Sequence, residues 1–439
     1  MRSSHSPDQI TVTFDDDHAV ADAGLILVAS LAEGLGLGEL FDTHLDLGEA
    51  PGAANAGGKA MTLLHSVLAG GEWIGDADAL RAGATGQVLG HRVAAPSTLG
   101  TFLRSFTWGS TRQLDQVAGI ALARAWAAGA GPGPWPLTID VDSTHCQTYG
   151  LAKQGATGID RHGERGYHPL LASVAGLGDV LHSRLREGVA NTGRGAASFV
   201  TETINRARRA GATGPICLRA DSGFYTHTVI RACHKQGVTC SITVKLSKAV
   251  RKVIAQIPEQ SWTPIPYWLD GGADVAETSY RPFGPKGRVM RLIVRRVRPT
   301  PGSQLALFCD YDYHGFVTDR DGAMLVLEAD HRRHAEVENV IRDLKYGVGL
   351  NHLPSGRFAA NAAWLALNVL AHNLARWTSR IGLGETLITT KTLRVRYLDL
   401  PGRLTRSARR WHLHLPTRWP WAHQFLLALD RLRCVPFPT

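Results

Sequence analysis

The segment LTIDVDST, residues Leu137–Thr144, alternates apolar and polar side chains as a strand with one buried face does. Its leucine, isoleucine and valine share one face, and its first threonine shares the other with Asp140 and Asp142. The segment follows GAGPGPWP, residues Gly129–Pro136, a run of turn-forming residues that marks the clearest boundary in the chain. We therefore expect a new domain to begin here, with a strand that ends in an acid.

Strands and helices alternate after this first strand. A hairpin of two apolar strands comes first, and two units of helix followed by strand come next. The predicted elements are strands His168–Ala175 and Val180–Arg186, helix Ala196–Ala210, strand Ile216–Ala220, helix Thr226–Gln236 and strand Thr239–Val244. Because crossovers of this kind are right-handed, the last two strands run parallel to the first. The strand before Asp221 then brings that acid to the same sheet edge as Asp142.

The rest of the chain is arranged around this core. Residues 1–130 are predicted to be mainly helical, either a DNA-binding region with a helix-turn-helix or a helical packing or dimerisation domain. The remaining divisions are a first part of the core at 137–247, a β-rich insertion at 248–329, a second part at 330–380 and a basic C-terminal region at 381–439. The expected fold class is α/β: a mixed sheet with flanking helices, interrupted by the insertion and preceded by the helical domain.

A third acid lies on a predicted amphipathic helix, Asp330–Gly347. At about 100° per residue, one stripe of this helix carries His331, His334, Glu338 and Lys345. Glu336 lies on a different face. The stripe predicts a functional carboxylate at Glu338. The alternative, which the helix would favour if it were considered without the two aspartates, is an ordinary charged face exposed to water.

Three acids from separate elements suit a metal-dependent reaction on DNA. Cleavage of a phosphodiester requires charge to be neutralised on both the attacking and the leaving oxygen, which two Mg²⁺ ions about 3.5–4 Å apart do in many nucleases. Mg²⁺ prefers hard oxygen ligands. Asp142, Asp221 and Glu338 supply such ligands, although Asp140 shares a strand face with Asp142 and either could bind metal.

Three motifs resemble those of DDE transposases of bacterial insertion sequences: IDVDST at Ile139–Thr144, RADSGFYT at Arg219–Thr226 and HAEVENVIRDLK at His334–Lys345. The third resembles a signature of Tyr, Arg, Glu and Lys in which His replaces the first two residues here. The similarity covers residues 137–379. It implies an RNase H-like core with a β insertion, and metal binding by Asp142, Asp221 and Glu338. It also implies two Mg²⁺ ions, for which Mn²⁺ would substitute, and it favours Asp142 over Asp140.

Other residues are candidates for contacts with DNA. Cations and histidines expected to lie near phosphates are Lys345, His334, His331, Lys245 and Arg342. Two tryptophans in the insertion, Trp262 and Trp268, are candidates for stacking on an extruded base, as an aromatic does in the resembling enzymes. Ordinary core packing is the alternative for both tryptophans.

Charge and composition support a polyanionic partner. The net charge is +10 and the pI about 9.5. Residues 1–50 are acidic, whereas residues 376–439 carry twelve Lys or Arg against three acids. The six cysteines form no CxxC pair, which favours reduced thiols. No apolar run reaches the roughly 18 residues of a membrane helix. We therefore expect a cytoplasmic protein without a membrane partner, associated with the nucleoid when bound to DNA.

The leading hypothesis is a DNA transposase that cuts element ends and joins them to target DNA by cut-and-paste transposition. Its partners would be the terminal inverted repeats and the target, and it would act as a homodimer because paired cuts need two sites. A metal-dependent nuclease of the same fold without strand joining is the first alternative. A non-catalytic DNA-binding protein is the second, and a glycosidase using two carboxylates is a weaker one.

Overall fold

The helices of the protein surround one large mixed sheet. The computed structural model describes residues 6–150, 152–157, 163–188, 190–266, 272–299, 311–386 and 388–436. The strands are β1 (Ala19–Val20), β2 (Leu137–Ser143), β3 (Cys146–Gln147), β4 (Gly166–Tyr167), β5 (Leu170–Val174), β6 (Val180–Arg184), β7 (Ile216–Ala220), β8 (Thr239–Thr243), β9 (Thr263–Ile265), β10 (Ala273–Tyr280), β11 (Met290–Val297), β12 (Asp312–Thr318), β13 (Gly402–Ser407) and β14 (Arg410–His414).

Helices precede, flank and follow the sheet. They are α1 (Ile26–Gly34), α2 (Leu37–His44), α3 (Ala56–Ala69), α4 (Thr85–Leu89), α5 (Pro96–Arg104), α6 (Trp108–Ala125), α7 (Ala196–Arg209), α8 (His227–Lys235), α9 (Lys248–Ile254), α10 (Met324–Arg332), α11 (Val337–Gly347), α12 (Phe358–Trp377), α13 (Thr390–Leu393) and α14 (Ala422–Arg433). The mainly helical N-terminal third and the α/β core are thus as predicted.

The large sheet has nine strands in the order β6-β5-β2-β7-β8-β12-β11-β10-β9. The strand pairs β2–β7 and β7–β8 are parallel, and the other pairs are antiparallel. The first five strands reproduce the predicted hairpin and crossover units. β2 and β7 are neighbours, which is the condition under which the acids that end them share one edge.

The predicted insertion is less separate than the sequence indicates. Its strands β9–β12 continue the core sheet, because β12 pairs antiparallel with β8 through Phe316 and Thr243. It also contains the helix α9, and it ends in α10, which begins at Met324 rather than after Ala329. Residues 300–310 of the predicted insertion lie outside the described residues.

The prediction of one continuous helix over Asp330–Gly347 is wrong. The helix α10 ends at Arg332, a 3₁₀ turn covers Arg333–Glu336, and α11 begins at Val337. A 3₁₀ turn has about 3.0 residues per turn instead of 3.6, so the angular phase is not continuous across it. The predicted alignment on one helix face therefore applies only to Glu338 and Lys345, which both lie in α11.

One continuous apolar core joins the N-terminal helices, the sheet and the C-terminal helices. The helix α12 lies at its centre, with Trp364 and Trp377 fully buried. The last helix, α14, contributes Phe425 and Leu432 to the same core. The C-terminal region is thus part of the folded body rather than a detached basic tail.

Among the described residues, no single helix is long and apolar enough to cross a membrane. One bent pair, Ala23–Gly34 with Leu37–His44, reaches that length and composition only when its two helices are taken together.

Candidate active site

The register of two parallel strands brings the first two predicted carboxylates together. Val141 of β2 pairs with Ala220 of β7, and the next residue on each strand is Asp142 and Asp221. Paired residues of neighbouring strands point to the same face of a sheet. The two carboxylates therefore lie side by side at the carboxyl edge of the sheet.

The Asp142 carboxylate is placed where a negative charge is costly. Its pKa is raised to about 6. Burial is the main cause and the charges of Asp221 and Glu338 add to it, whereas the Ser143 N–H and His334 act in the opposite direction. Its Oδ1 accepts a hydrogen bond of 2.7 Å from the Ser143 amide. A half-buried acid with two acidic neighbours is a site that a cation would stabilise.

Asp221 also has one oxygen engaged by the backbone. Its Oδ1 accepts a hydrogen bond of 3.0 Å from the amide of Gly223, within the 3₁₀ turn that follows β7. Within the described part of the chain, neither Asp142 nor Asp221 forms a salt bridge, and no side chain donates to their second oxygens. Each acid thus keeps one carboxylate oxygen for a ligand.

The third carboxylate, Glu338, lies in the first turn of α11 and is exposed. α11 packs beside β2, and the charge of Glu338 acts on Asp142. Glu336 is engaged differently, because its carboxylate receives a hydrogen bond of 2.9 Å from Arg333. Of these two glutamates, Glu338 is the one turned towards the aspartates.

Asp140, the alternative ligand of the sequence analysis, is buried and fully bonded. Arg219 donates from Nε to Asp140 Oδ1 at 2.6 Å and from Nη2 to Oδ2 at 2.8 Å. His334 Nδ1 lies 2.9 Å from the same Oδ1. The strand register explains the pair, since Asp140 is directly opposite Arg219. Asp140 therefore serves as an anchor between strands, with no oxygen left for a metal ion.

Arg219 is a residue that the sequence analysis did not single out. It is almost fully buried, and besides Asp140 it binds the Asp330 backbone carbonyl and, at 3.4 Å, the Asp330 carboxylate. It thereby ties β7 to α10, the helix that leads into the Glu338 segment. The available signal was its position two residues before Asp221, which matches the position of Asp140 before Asp142.

The two histidines expected to contact DNA are bonded inside the protein instead. His331 has its ring nitrogens 2.8 Å from the Ser241 hydroxyl and 2.9 Å from the Thr243 hydroxyl, and it stacks on Phe316 with centroids 4.0 Å apart. Burial lowers its pKa to about 3, so it carries no charge for a phosphate. The structure thus gives no support to a DNA contact by His331, or by His334, whose Nδ1 lies against Asp140.

The predicted cations lie on α11 or just after β8. Lys345 lies on α11 two turns beyond Glu338, and its Nζ donates to the backbone carbonyl of His145 at 3.0 Å, close to the end of β2. Arg342 is exposed on the same helix, one turn from Glu338. Lys245 is exposed just after β8, at the same sheet edge as the acids.

The tryptophans are placed differently from the cations. Trp262 is half-buried against the core, and the Arg296 guanidinium lies 4.4 Å from its ring centroid. Arg296 is fixed in turn by Glu259 and Asp274. This arrangement is the core packing that was the alternative for Trp262, and one ring face is already covered. Trp268 lies outside the described residues.

Metal-type ligands also meet at a second place, which their sequence spacing does not indicate. Ligand atoms of His234, Cys240 and Asp319 lie within 4.8 Å of one another. The two oxygens of Asp319 already have partners, because Oδ2 lies 2.9 Å from His234 Nε2 and Oδ1 accepts from the Cys240 amide at 2.7 Å. The cluster thus joins α8, β8 and the end of β12 through protein hydrogen bonds.

Taken together, the carboxyl edge of the sheet offers three acids of the kind that bind Mg²⁺. Asp142 and Asp221 each have an oxygen without a protein hydrogen bond among the described residues, and Glu338 has no salt bridge there. Mg²⁺ is held by few carboxylates and keeps several waters, so three such groups suffice. The donor set therefore fits a divalent cation with hard-oxygen preference.

Comparison with known proteins gives one family. The chain matches the family described as "Transposase DDE domain group 1" over residues 2–436. It is similar in fold to the cryo-EM structure of a piggyBac transposase synaptic complex with hairpin DNA, with 10% sequence identity, a TM-score of 0.44, and coverage of 86% of this chain and 79% of that one. No curated protein matches the sequence.

Proposed function

Since the chain belongs to the transposase DDE domain group 1 family, we propose that Asp142, Asp221 and Glu338 are the carboxylates with which this DNA transposase binds two Mg²⁺ ions and cuts DNA. The observation that carries the assignment is the register of β2 and β7, which places Asp142 beside Asp221 one residue beyond the pair Val141–Ala220.

The side chains around the triad have distinct tasks in this proposal. Asp142 binds metal only as a carboxylate, and its raised pKa of about 6 means that it is ionised at neutral pH but close to titration. Bound Mg²⁺ supplies activation of water and neutralisation of charge on the attacking and leaving oxygens. Lys345 and Arg342, on the helix that bears Glu338, hold the phosphate backbone. Asp140, Arg219 and His334 position the strands and the helix without touching the substrate.

The reaction has two steps that exchange one bond for another. Water attacks a phosphorus at the element end, the bond from phosphorus to the 3′ oxygen breaks, and a free 3′-OH is released. That 3′-OH attacks a phosphorus of the target, and a target 3′ oxygen leaves as the new bond forms. Both steps use the same metal-binding carboxylates, and two element ends call for two copies of the site. We infer a homodimer on DNA for that reason.

Single substitutions of the triad test the assignment. The purified protein is incubated with Mg²⁺ and a duplex carrying an end of the parent element, and the products are sequenced. Asp142→Ala, Asp221→Ala and Glu338→Ala are each expected to abolish cleavage and to retain binding of the duplex, because each removes a metal ligand and no phosphate-binding cation.

The matched control is Glu336→Ala, which removes an acid of the same helical segment that is bonded to Arg333. It should cleave at close to the wild-type rate. Loss of cleavage in Glu336→Ala with retention in Glu338→Ala would reverse the assignment. Cleavage without any joined product, when a target duplex is added, would favour the nuclease without strand transfer.

A further inference from the structure

A strongly basic hairpin projects from the C-terminal region. It consists of β13, β14 and the turn between them, residues 402–414, and it will be called the basic hairpin. It contains four arginines (Arg403, Arg406, Arg409 and Arg410), two histidines and no acid. Leu404 is buried and Leu413 half-buried at its base, whereas the residues from Arg406 to His412 are exposed. The far end of the hairpin is thus charged and open to solvent.

The hairpin forms one wall of a large groove against the N-terminal helices. The groove has a volume of about 1060 Å³ and will be called the α3 groove. It is lined by Trp411 of the hairpin and by Lys59, Arg81, His91 and Arg92 of the helical region. Of the described residues that line it, none is acidic. Trp411 is 56% exposed and carries the Arg406 guanidinium 5.3 Å from its ring.

One cation of the α3 groove is held without a counter-charge. Lys59 is buried, and its ammonium donates to the backbone carbonyls of Gly52, at 2.8 Å, and Ala54. No carboxylate forms a salt bridge with it in the described part of the chain. Carbonyl groups satisfy the hydrogen bonds of an ammonium but leave its positive charge uncompensated. A buried cation on the wall of a groove without acids points to an anionic ligand.

We propose that the basic hairpin and the α3 groove form a binding site for duplex DNA that is separate from the carboxylate site. The ribbon lies along a groove of the duplex, and the phosphate backbone beside it enters the α3 groove. This inference rests on the proposed function, since it takes DNA as the substrate, but it does not depend on which carboxylates bind metal. DNA binding is therefore measured in EDTA, where no metal ion is bound. A failure of that test would refute the second DNA site and would leave the proposed metal-binding carboxylates unaffected.

The dimensions of the hairpin agree with this ligand. A strand of five or six residues is about 17–20 Å long, and the major groove of B-DNA, about 12 Å wide, admits a two-stranded ribbon. The pairs Thr405–His412 and Ser407–Arg410 point away from the face that carries Trp411. Charged or hydrogen-bonding side chains therefore cover both faces of the exposed end, as a ribbon between two phosphate backbones requires.

One acid lies near the base of the hairpin. Asp16 is 3.9 Å from the guanidinium of Arg403, and β13 also receives the N-terminal segment through β1. Arg403 is therefore partly compensated within the chain. The arginines assigned to DNA are the three at the exposed end, Arg406, Arg409 and Arg410.

Charge substitutions in the α3 groove give the sharper test. A Cβ added at Gly58 would meet no atom within 4 Å. Gly58 lies in α3, where glutamate and lysine both have a higher helix propensity than glycine. Gly58→Glu should therefore fold normally, place an acid in the groove and weaken binding of a fluorescein-labelled duplex in EDTA. Gly58→Lys, the matched control, should bind at least as tightly as the wild type.

Substitutions in the hairpin give the second test. Combined Arg406→Ala, Arg409→Ala and Arg410→Ala should lower the dependence of log Kd on log salt by about 0.9 for each phosphate that the variant no longer binds. Trp411→Ala should weaken binding by a similar factor at every salt concentration, since it removes no charge. Urea unfolding checks that each variant folds.

Three outcomes would overturn the proposal. Equal affinities and salt slopes of Gly58→Glu and Gly58→Lys would exclude DNA from the α3 groove. Hairpin variants with the wild-type salt slope would exclude phosphate binding there. A change in oligomeric state with unaltered DNA affinity would assign the hairpin to contact between protein chains.

Discussion

Two aspartates on one strand are expected to respond to the same substitution in opposite directions. The substitution is Asp to Asn, which removes the charge and keeps the shape, at Asp142 and at Asp140. Asp142 is a half-buried carboxylate with two acidic neighbours and no salt bridge in the described structure, whereas Asp140 is bonded to Arg219 and His334. Without metal, the charge at Asp142 should destabilise the fold and the charge at Asp140 should stabilise it.

The size of the effect at Asp142 follows from its pKa. The carboxyl has a pKa of 3.8 in an unfolded chain and about 6 in the folded protein. A tenfold change in proton affinity is worth about 1.4 kcal/mol, so the ionised group destabilises the folded state by up to about 3 kcal/mol. The folded pKa is the higher one, so this cost is absent below about pH 4, grows as the pH rises to about 6 and is then constant. Asp142→Asn should gain that stability above pH 6.

Urea unfolding in EDTA at pH 4 and at pH 7.5 measures the difference in free energy of unfolding between each variant and the wild type. Asp142→Asn should be more stable than the wild type by about 1–3 kcal/mol at pH 7.5, and equally stable at pH 4. Asp140→Asn should be less stable by about 3–5 kcal/mol at pH 7.5, because it leaves Arg219 without its main partner. Mg²⁺ should then stabilise the wild type and leave Asp142→Asn unchanged.

The reasoning fails if Asp142→Asn is less stable than the wild type in EDTA at pH 7.5. It fails equally if the difference persists at pH 4. Stabilisation of Asp142→Asn by Mg²⁺ to the same degree as the wild type would remove Asp142 from the metal site.

Two further predictions concern single residues elsewhere. Lys345→Ala should weaken binding to all duplex sequences alike and lower the salt slope by about 0.9, as removal of one phosphate-binding cation does; an unchanged slope in a salt titration would place the DNA elsewhere. Ala408→Gly should raise the free energy of unfolding by up to about 1 kcal/mol, because Ala408 has a φ of 47° in the hairpin turn, where glycine has no steric cost. Urea unfolding checks this, and duplex affinity should stay at the wild-type value; lower stability would mean that the turn is unstrained.

The core strands were predictable because their local patterns and their long-range packing agree. β2, β5, β6, β7 and β8 alternate or are uniformly apolar, and turn-forming residues bound them. The order of these strands then follows from right-handed crossovers. The two aspartates at the strand ends could be located by the same argument, since register at the end of a strand is set by the strand itself.

The break in the predicted helix Asp330–Gly347 was not predictable from local sequence. Residues 333–336, RHAE, include good helix formers and no glycine or proline. Two side-chain contacts occur at the 3₁₀ turn. His334 contacts Asp140 of the sheet, and Arg333 contacts Glu336 within the turn itself. The contact with Asp140 depends on the sheet, which a periodicity argument along one helix cannot represent.

The basic hairpin was missed for a different reason. Its strands alternate, but its turn residues are Ala408 and Arg409, with φ values of 47° and 67°. Two-residue turns of this type favour asparagine or glycine, and the segment contains neither at the turn. A search that depends on turn-forming residues therefore overlooks it, although its run of arginines without acids is visible in the sequence.

The position of the third carboxylate depends on residues that bind no metal. Arg219 holds Asp140 on one side and Asp330 of α10 on the other, and His334 of the 3₁₀ turn binds the same Asp140. Glu338 follows only four residues after His334, so the start of α11 is fixed relative to β2 through Asp140. In the proposed site, Asp142 would bind the metal ion, and Asp140 would hold the helix that carries Glu338 close to it.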